Sequence, residues 1–159
     1  MLSVIACLNE ERHRPTLLAH IVADSAIDRL VVADGGSTDA SREIVTHYAQ
    51  SDPRVSLLDN PRRLQSAGVN RAVVIHGADA HWLLRIDAYC GYPDRYASML
   101  LGAVASTQAS SIVVPMITRA QGGVFQLAVA PAQNSVLGRA AQHTGTWGKA
   151  HSWTTAITR

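Results

Sequence analysis

Three short polar clusters each follow an apolar run directly, and each holds groups that could do chemistry. The first is Asn9-Glu10-Glu11, the second Asp34-Gly35-Gly36-Ser37-Thr38-Asp39, and the third Asp87-Ala88-Tyr89. In the second, two glycines allow a tight turn after a strand. The acid can accept hydrogen bonds from a base or a ribose, and the next helix would offer free N–H groups. The same residues also suit an ordinary strand–helix turn with a good cap. Asp87 is the sharper case, because an acid ending a buried strand is costly unless paired, ligated or wet. Pleat alternation points Arg85 and Asp87 the same way, so an internal ion pair is one reading. The other is a carboxylate aimed at a magnesium or manganese ion that carries phosphate oxygens.

Other chemistries are excluded by spacing. The seven histidines form no HxxxH or HExxH pair, which argues against a zinc site. GxGxxG, GxxxxGK[ST] and GxSxG are all missing, which lowers dinucleotide, P-loop and α/β-hydrolase readings.

The elements that must position these clusters follow from periodicity. Apolar runs at 2–8, 27–33, 55–58, 82–86 and 111–115 read as strands. Segments of helical period lie between them at 16–27, 40–50, 64–76 and from Pro93 to about Thr107. Asp39 or Thr38 can cap the second helix, with Ile44, Val45 and Tyr48 facing inward. A further helix is expected over 122–137. Alternation of near-continuous apolar strands with helices predicts a Rossmann-like α/β fold, a mostly parallel sheet covered on both faces. The polar clusters then fall at the carboxyl edge of the strands, where open α/β sheets bind ligands.

Composition agrees. Apolar residues make up 47% and charged residues 16% with a mean hydropathy of +0.06, which is ample for a globular core. Aromatics are only 5%, so Ala, Val, Leu and Ile must fill that core. A net charge of +2 with one lysine, Lys149, and no basic stripe argues against a nucleic-acid partner. Cys7 and Cys90 sit in no CxxC pair and read as thiols of a reducing compartment. No run of about 18 apolar residues suggests a membrane span.

The order of the clusters resembles a known family. Ser3-Val4-Ile5-Ala6-Cys7-Leu8-Asn9-Glu10-Glu11 followed by Val31-Val32-Ala33-Asp34-Gly35-Gly36-Ser37-Thr38-Asp39 is similar to the family 2 glycosyltransferases of GT-A fold. Asp59-Asn60-Pro61-Arg62-Arg63-Leu64-Gln65-Ser66-Ala67-Gly68-Val69-Asn70 resembles the branch that builds succinoglycan-type exopolysaccharide. So do Leu84-Arg85-Ile86-Asp87-Ala88, Val113-Val114-Pro115-Met116 and Ala132-Gln133-Asn134-Ser135-Val136-Leu137-Gly138. The resemblance implies an enzyme that takes a nucleotide-sugar donor, usually a UDP-sugar, and a glycan or lipid-linked acceptor. The place of action it implies is the cytoplasm or the inner face of the membrane.

Carried over by position, Asn9 and Glu10 would line the nucleoside pocket and Asp34 would bond the uracil. Gln65, with Asn70 behind it, would belong to the segment that closes over the donor. Asp87 would be the first acid of a DxD-type motif and a tentative ligand for Mn or Mg. Tyr89 stands at the usual second ligand position, and a phenol with a pKa near 10 is a poor ligand. No Asp or Glu occurs after residue 138, so the acidic catalytic base is missing. Residues 1–138 are thus expected to be the donor-binding part, with 139–159 an irregular tail that begins an acceptor half cut short. A non-catalytic nucleotide-sugar-binding remnant, or a fragment needing a second chain, is the alternative. A nucleotidyltransferase is a third, against which the Asn9-Glu10-Glu11 loop speaks because such enzymes carry a Gly-rich basic loop there.

Overall fold

A computed structural model describes residues 1–114 and the backbone of strand residues 155–158. Five strands and four helices alternate in the first of these spans: β1 (Leu2–Cys7), α1 (Arg14–Val22), β2 (Arg29–Asp34), α2 (Ser41–Ser51), β3 (Val55–Asp59), α3 (Gln65–His76), β4 (Leu83–Asp87), α4 (Tyr96–Thr107) and β5 (Ser111–Val114). A sixth strand, β6, spans Thr155–Thr158. The expected helix over 122–137, Trp147, Trp153 and the 132–138 motif lie outside the described residues.

The sheet order is β3-β2-β1-β4-β6-β5. β1 pairs in parallel with both β2 and β4, and β2 with β3. Chain direction across the sheet therefore reverses beside β1. The β1→β2 and β2→β3 crossovers step one way and the β3→β4 crossover steps back. Right-handed crossovers of opposite direction put α1 and α2 on one face and α3 on the other. β1 and β2 are buried between these layers, with Leu30, Val31, Val32 and Ala33 all fully covered. That is why their sequences read as unbroken apolar runs.

On one face Leu2, Val4, Val31 and Leu58 pack with Ala72 of α3, flanked by Val69, Ala80 and Leu83. Each fully buried Leu, Ile or Val contributes roughly 1.5–3 kcal/mol through loss of apolar surface to water. Gly68 lets α3 approach this closely. A Cβ there would lie 2.9 Å from Asn60 Nδ2 and 3.0 Å from Ala33 Cβ.

Three boundaries differ from expectation. α1 runs over Arg14–Val22 rather than 16–27. Pro15 is tolerated in its first turn, and Asp24 ends it by taking the Ala26 N–H onto its own carboxylate. α2 has no side-chain cap at Ala40. Asp39 instead accepts from Ser41 N at 3.0 Å, while Glu11 reaches across from the first loop to accept Ala40 N at 2.8 Å. The third difference lies in the tail, expected to be irregular. Residues 155–158 form a strand antiparallel to β4, pairing Leu83 with Thr158 and Leu84 with Ile157. Four residues carry too little periodicity to announce a strand; the unpaired edge of β4 supplies the hydrogen bonds that define it.

No helix among the described residues is long and apolar enough to cross a membrane.

Candidate functional site

Parallel register brings the three polar clusters together. Cys7 lies opposite Asp34 and Ala6 opposite Asp87, so β1, β2 and β4 end side by side at one edge. The crevice between β1 and β4, where crossover direction reverses, is the usual ligand position in an open α/β sheet.

The first two clusters are laced to each other. Asn9, in a left-handed backbone conformation (φ 55°), donates its N–H to Ser37 Oγ at 2.9 Å and accepts Thr38 N on Oδ1 at 2.9 Å. Glu10 N donates to Ser41 Oγ at 2.9 Å, and Glu11 N to Asp39 Oδ2 at 3.0 Å. These bonds give the β1–α1 and β2–α2 loops one shared geometry. They leave the Asn9 amide NH2 and the Glu10 carboxylate without a hydrogen bond to any described residue.

Asp34 is 1% exposed, and both its oxygens are taken up within the chain. Oδ2 accepts Gly36 N at 2.9 Å, Ser37 N at 3.0 Å and Arg42 Nη1 at 2.8 Å. Oδ1 accepts the Ser37 hydroxyl at 2.5 Å and the Cys7 thiol at 3.4 Å. Burial works to raise the Asp34 pKa, but the bonds from Ser37, Arg42 and the loop N–H groups outweigh it and hold it at about 2. A carboxylate so occupied has no lone pair left for a uracil N–H, so in this conformation Asp34 braces the loop. The ordinary-turn reading of the sequence thus describes its local role. Burial also pushes the Cys7 thiol up to about 12, against the pull of nearby Arg14.

Arg42 belongs to none of the three polar clusters, yet it is part of this edge. From the first turn of α2 its Nη1 bridges Asp34 and, at 2.9 Å, Asp59 at the end of β3. The parallel register of β2 and β3 sets these two acids side by side at neighbouring strand ends, where a cation between them offsets their repulsion.

Asp87 is 4% exposed. Gln65, the first residue of α3, donates Nε2 to its Oδ1 at 2.6 Å, and Arg85 Nε lies 3.8 Å from the same oxygen. The expected Arg85–Asp87 pair therefore exists, but as the longer of two contacts. Burial raises the Asp87 pKa above the usual carboxylate range, with Arg85 and Gln65 opposing. Tyr92 accepts the Asp87 N–H at 2.8 Å. Gln65 is held in place from behind: the buried Asn60 donates Nδ2 to Leu64 O at 3.0 Å, and Asn60 N donates to Asp34 O at 2.7 Å. Asn70 is not brought to this edge. It is exposed, and helical spacing sets it opposite Gly68 and Ala72, the residues α3 buries against the sheet.

Tyr89 is 62% exposed, and its phenol is pushed further above its ordinary pKa by partial burial and by the charges of Asp87, Cys90 and Glu10. Among the described residues no three His, Cys, Asp or Glu side chains surround a point where a metal could sit. The donor set therefore does not fit a resident metal. It does fit a magnesium or manganese ion brought in on a diphosphate, which needs only one or two carboxylates.

Comparison with known proteins agrees with this topology. The succinoglycan biosynthesis protein ExoA of Rhizobium meliloti (strain 1021) is 49% identical over 139 residues, 86% of this chain and 42% of that protein. The chain thus spans less than half the length of this curated relative. The mannosyltransferase PcManGT from Pyrobaculum calidifontis, solved with GDP-Man and Mn2+, has a TM-score of 0.64 at 19% identity over 99% of this chain and 43% of its own. Glucosyl-3-phosphoglycerate synthase from Mycobacterium tuberculosis, solved with Mn2+, UDP and glucosyl-3-phosphoglycerate, has a TM-score of 0.59 at 17% identity over 99% of this chain and 55% of its own. At such identities the likeness to both is one of fold, the GT-A fold. Glycosyl transferase family 2 matches residues 3–156, nearly the whole chain, and the protein belongs to that family.

Proposed function

We propose that this chain holds the donor nucleotide of a glycosyltransferase that moves a sugar from a UDP-sugar to a glycan or lipid-linked acceptor in bacterial exopolysaccharide synthesis. The observation that carries the reading is the convergence of Asn9, Glu10 and Asp87 at the reversal point of the sheet, with acceptors and an amide left to meet a ligand. The polysaccharide assignment draws support from the 49% identity to the succinoglycan protein.

In this reading residues 1–138 form the donor-binding part. The Asn9 amide and the Glu10 carboxylate meet the nucleoside, and Asp34 acts through the loop it braces. Asp87 accepts from a ribose hydroxyl or holds a diphosphate-borne cation. Such a cation, when bound, neutralises charge on the departing diphosphate. The reaction itself is a displacement: an acceptor hydroxyl oxygen forms a bond to the anomeric carbon, the bond from that carbon to the diphosphate oxygen breaks, and the hydroxyl proton passes to a base. No described residue is assigned as that base.

Thermal unfolding with UDP, UDP-glucose or GDP, each with and without Mn2+, tests the reading. A ligand that binds only the folded state at 100 times its Kd stabilises by about 2.7 kcal/mol, an upward shift of several degrees. Asp87→Asn should lose most of the UDP shift while keeping or raising the unliganded Tm, because burial already disfavours the charged form. A cooperative transition unmoved by every nucleotide would overturn the donor-site reading in favour of a non-binding remnant. Release of pyrophosphate rather than UDP would point to a nucleotidyltransferase.

A further inference from the structure

Gln65 stands apart from the rest of the edge. It is an exposed side chain on the first turn of a helix, yet it makes a short contact to the buried Asp87, 2.6 Å from Nε2 to Oδ1. Hydrogen bonds to an ionised acceptor are about twice as strong as neutral ones. Its backbone cannot swing away easily. Leu64 O is bonded by both Asn60 Nδ2 and Gly68 N, and Gly68 packs against Ala33 with no space for a side chain. Release must therefore come from rotation of the Gln65 side chain alone. Directly before it, Arg63 is held at φ 55° and Leu64 is extended, so the loop delivers Gln65 to this spot by backbone conformation and not by side-chain packing.

We infer that Gln65 is a latch on Asp87: its amide occupies Oδ1 in the folded chain, and a nucleotide that uses that oxygen must first displace it. The inference rests on the donor-site reading above and adds to it that the site resists its own ligand. It also opposes the simpler expectation that Gln65 contacts the donor. A latch lowers affinity, since part of the binding free energy goes into breaking the Gln65–Asp87 bond; a donor contact raises it.

The sign of one substitution separates the two. Calorimetric titration of the full chain with UDP, alone and with Mn2+, should show Gln65→Ala binding about tenfold more tightly than the parent, the equivalent of about 1.4 kcal/mol. Gln65→Met, which keeps length but lacks the amide, should behave the same and controls for packing and for loss of fold. In an Asp87→Asn background, where the charged acceptor is gone, Gln65→Ala should change residual UDP affinity by less than about twofold. Unchanged or weaker UDP binding by Gln65→Ala and Gln65→Met, with the parent binding UDP, would overturn the latch and leave the donor site standing. If neither the parent nor the variants bind UDP with or without Mn2+, the donor-site reading falls and the latch falls with it.

Discussion

Replacing Arg14 with methionine should make the protein more stable. Arg14 opens α1 and is 2% exposed, and its Nε, Nη1 and Nη2 make no well-formed hydrogen bond among the described residues, although the Cys7 sulfur lies close enough to interact. Its charge is felt by Cys7 and Asp39, so some attraction offsets the burial. The Cys7 sulfur nearby is only a weak acceptor. A guanidinium cannot shed its proton to escape an apolar site, as a lysine can. The chain therefore carries a buried cation with its donors unmet, one of the costlier arrangements in a folded protein. Methionine fills similar length with no polar atom and adapts to irregular space. Exchanging buried ion pairs for well-packed apolar side chains of similar volume is often neutral or stabilising by about 1–4 kcal/mol, and the stabilising end is expected where the cation's donors are unmet. At roughly 2–4 °C per kcal/mol for a domain of this size, Tm should rise by roughly 2–16 °C. Thermal unfolding followed by circular dichroism at neutral pH measures this directly. A second readout is thiol chemistry: without the cation that lowers it, the Cys7 pKa should move up from about 12, and alkylation in the folded state should slow. A fall in Tm for Arg14→Met would refute the reasoning, because it would mean that the guanidinium is satisfied in solution and contributes to the fold.

The Asp34 carboxylate, held at about 2 against an ordinary 3.8, contributes about 2 kcal/mol to folding at neutral pH. Its folded pKa is depressed, so that contribution is complete above the unfolded value and is lost as pH falls from about 4 through about 2. Urea titrations of the parent and Asp34→Asn across that range should show the gap between them closing in acid; a gap independent of pH would refute it. Gly68→Ala pits helix propensity, which favours alanine by about 1 kcal/mol, against a Cβ placed 2.9 Å from Asn60 Nδ2 and 3.0 Å from Ala33 Cβ. Both neighbours are pinned, so an overpacking cost of about 1–3 kcal/mol outweighs the propensity gain, and a net loss of up to about 2 kcal/mol is expected in denaturant melts. Asp24→Ala removes the acceptor for Ser98 N at 3.0 Å, the Ser98 hydroxyl at 2.5 Å and Ala26 N at 3.1 Å. It should cost about 1–3 kcal/mol, with hydrogen exchange accelerated first at the start of α4.

Much of this protein follows from sequence alone. Buried strands must be apolar on both faces, so β1 to β4 are legible as runs, and the helices between them as 3.6-residue periods. That alternation, with the polar clusters after the runs, implies a parallel sheet and a site at its carboxyl edge. The family likeness rides on the same clusters.

What sequence could not decide is which of those residues are spent internally. Asp34 and Asp87 look equivalent as acids ending strands. Only tertiary structure shows that five donors converge on Asp34, whereas Asp87 meets Gln65 and a more distant Arg85. The roles of Arg42 and Asn60, the outward turn of Asn70 and the pairing of β6 all depend on partners distant in sequence. The orphaned charge of Arg14 is likewise visible only once its surroundings are known. Local pattern determines which groups reach the edge of a sheet. Their remaining capacity to bind is set by the neighbours that folding brings there, because a hydrogen-bonding group already satisfied inside the chain has little left to offer a ligand.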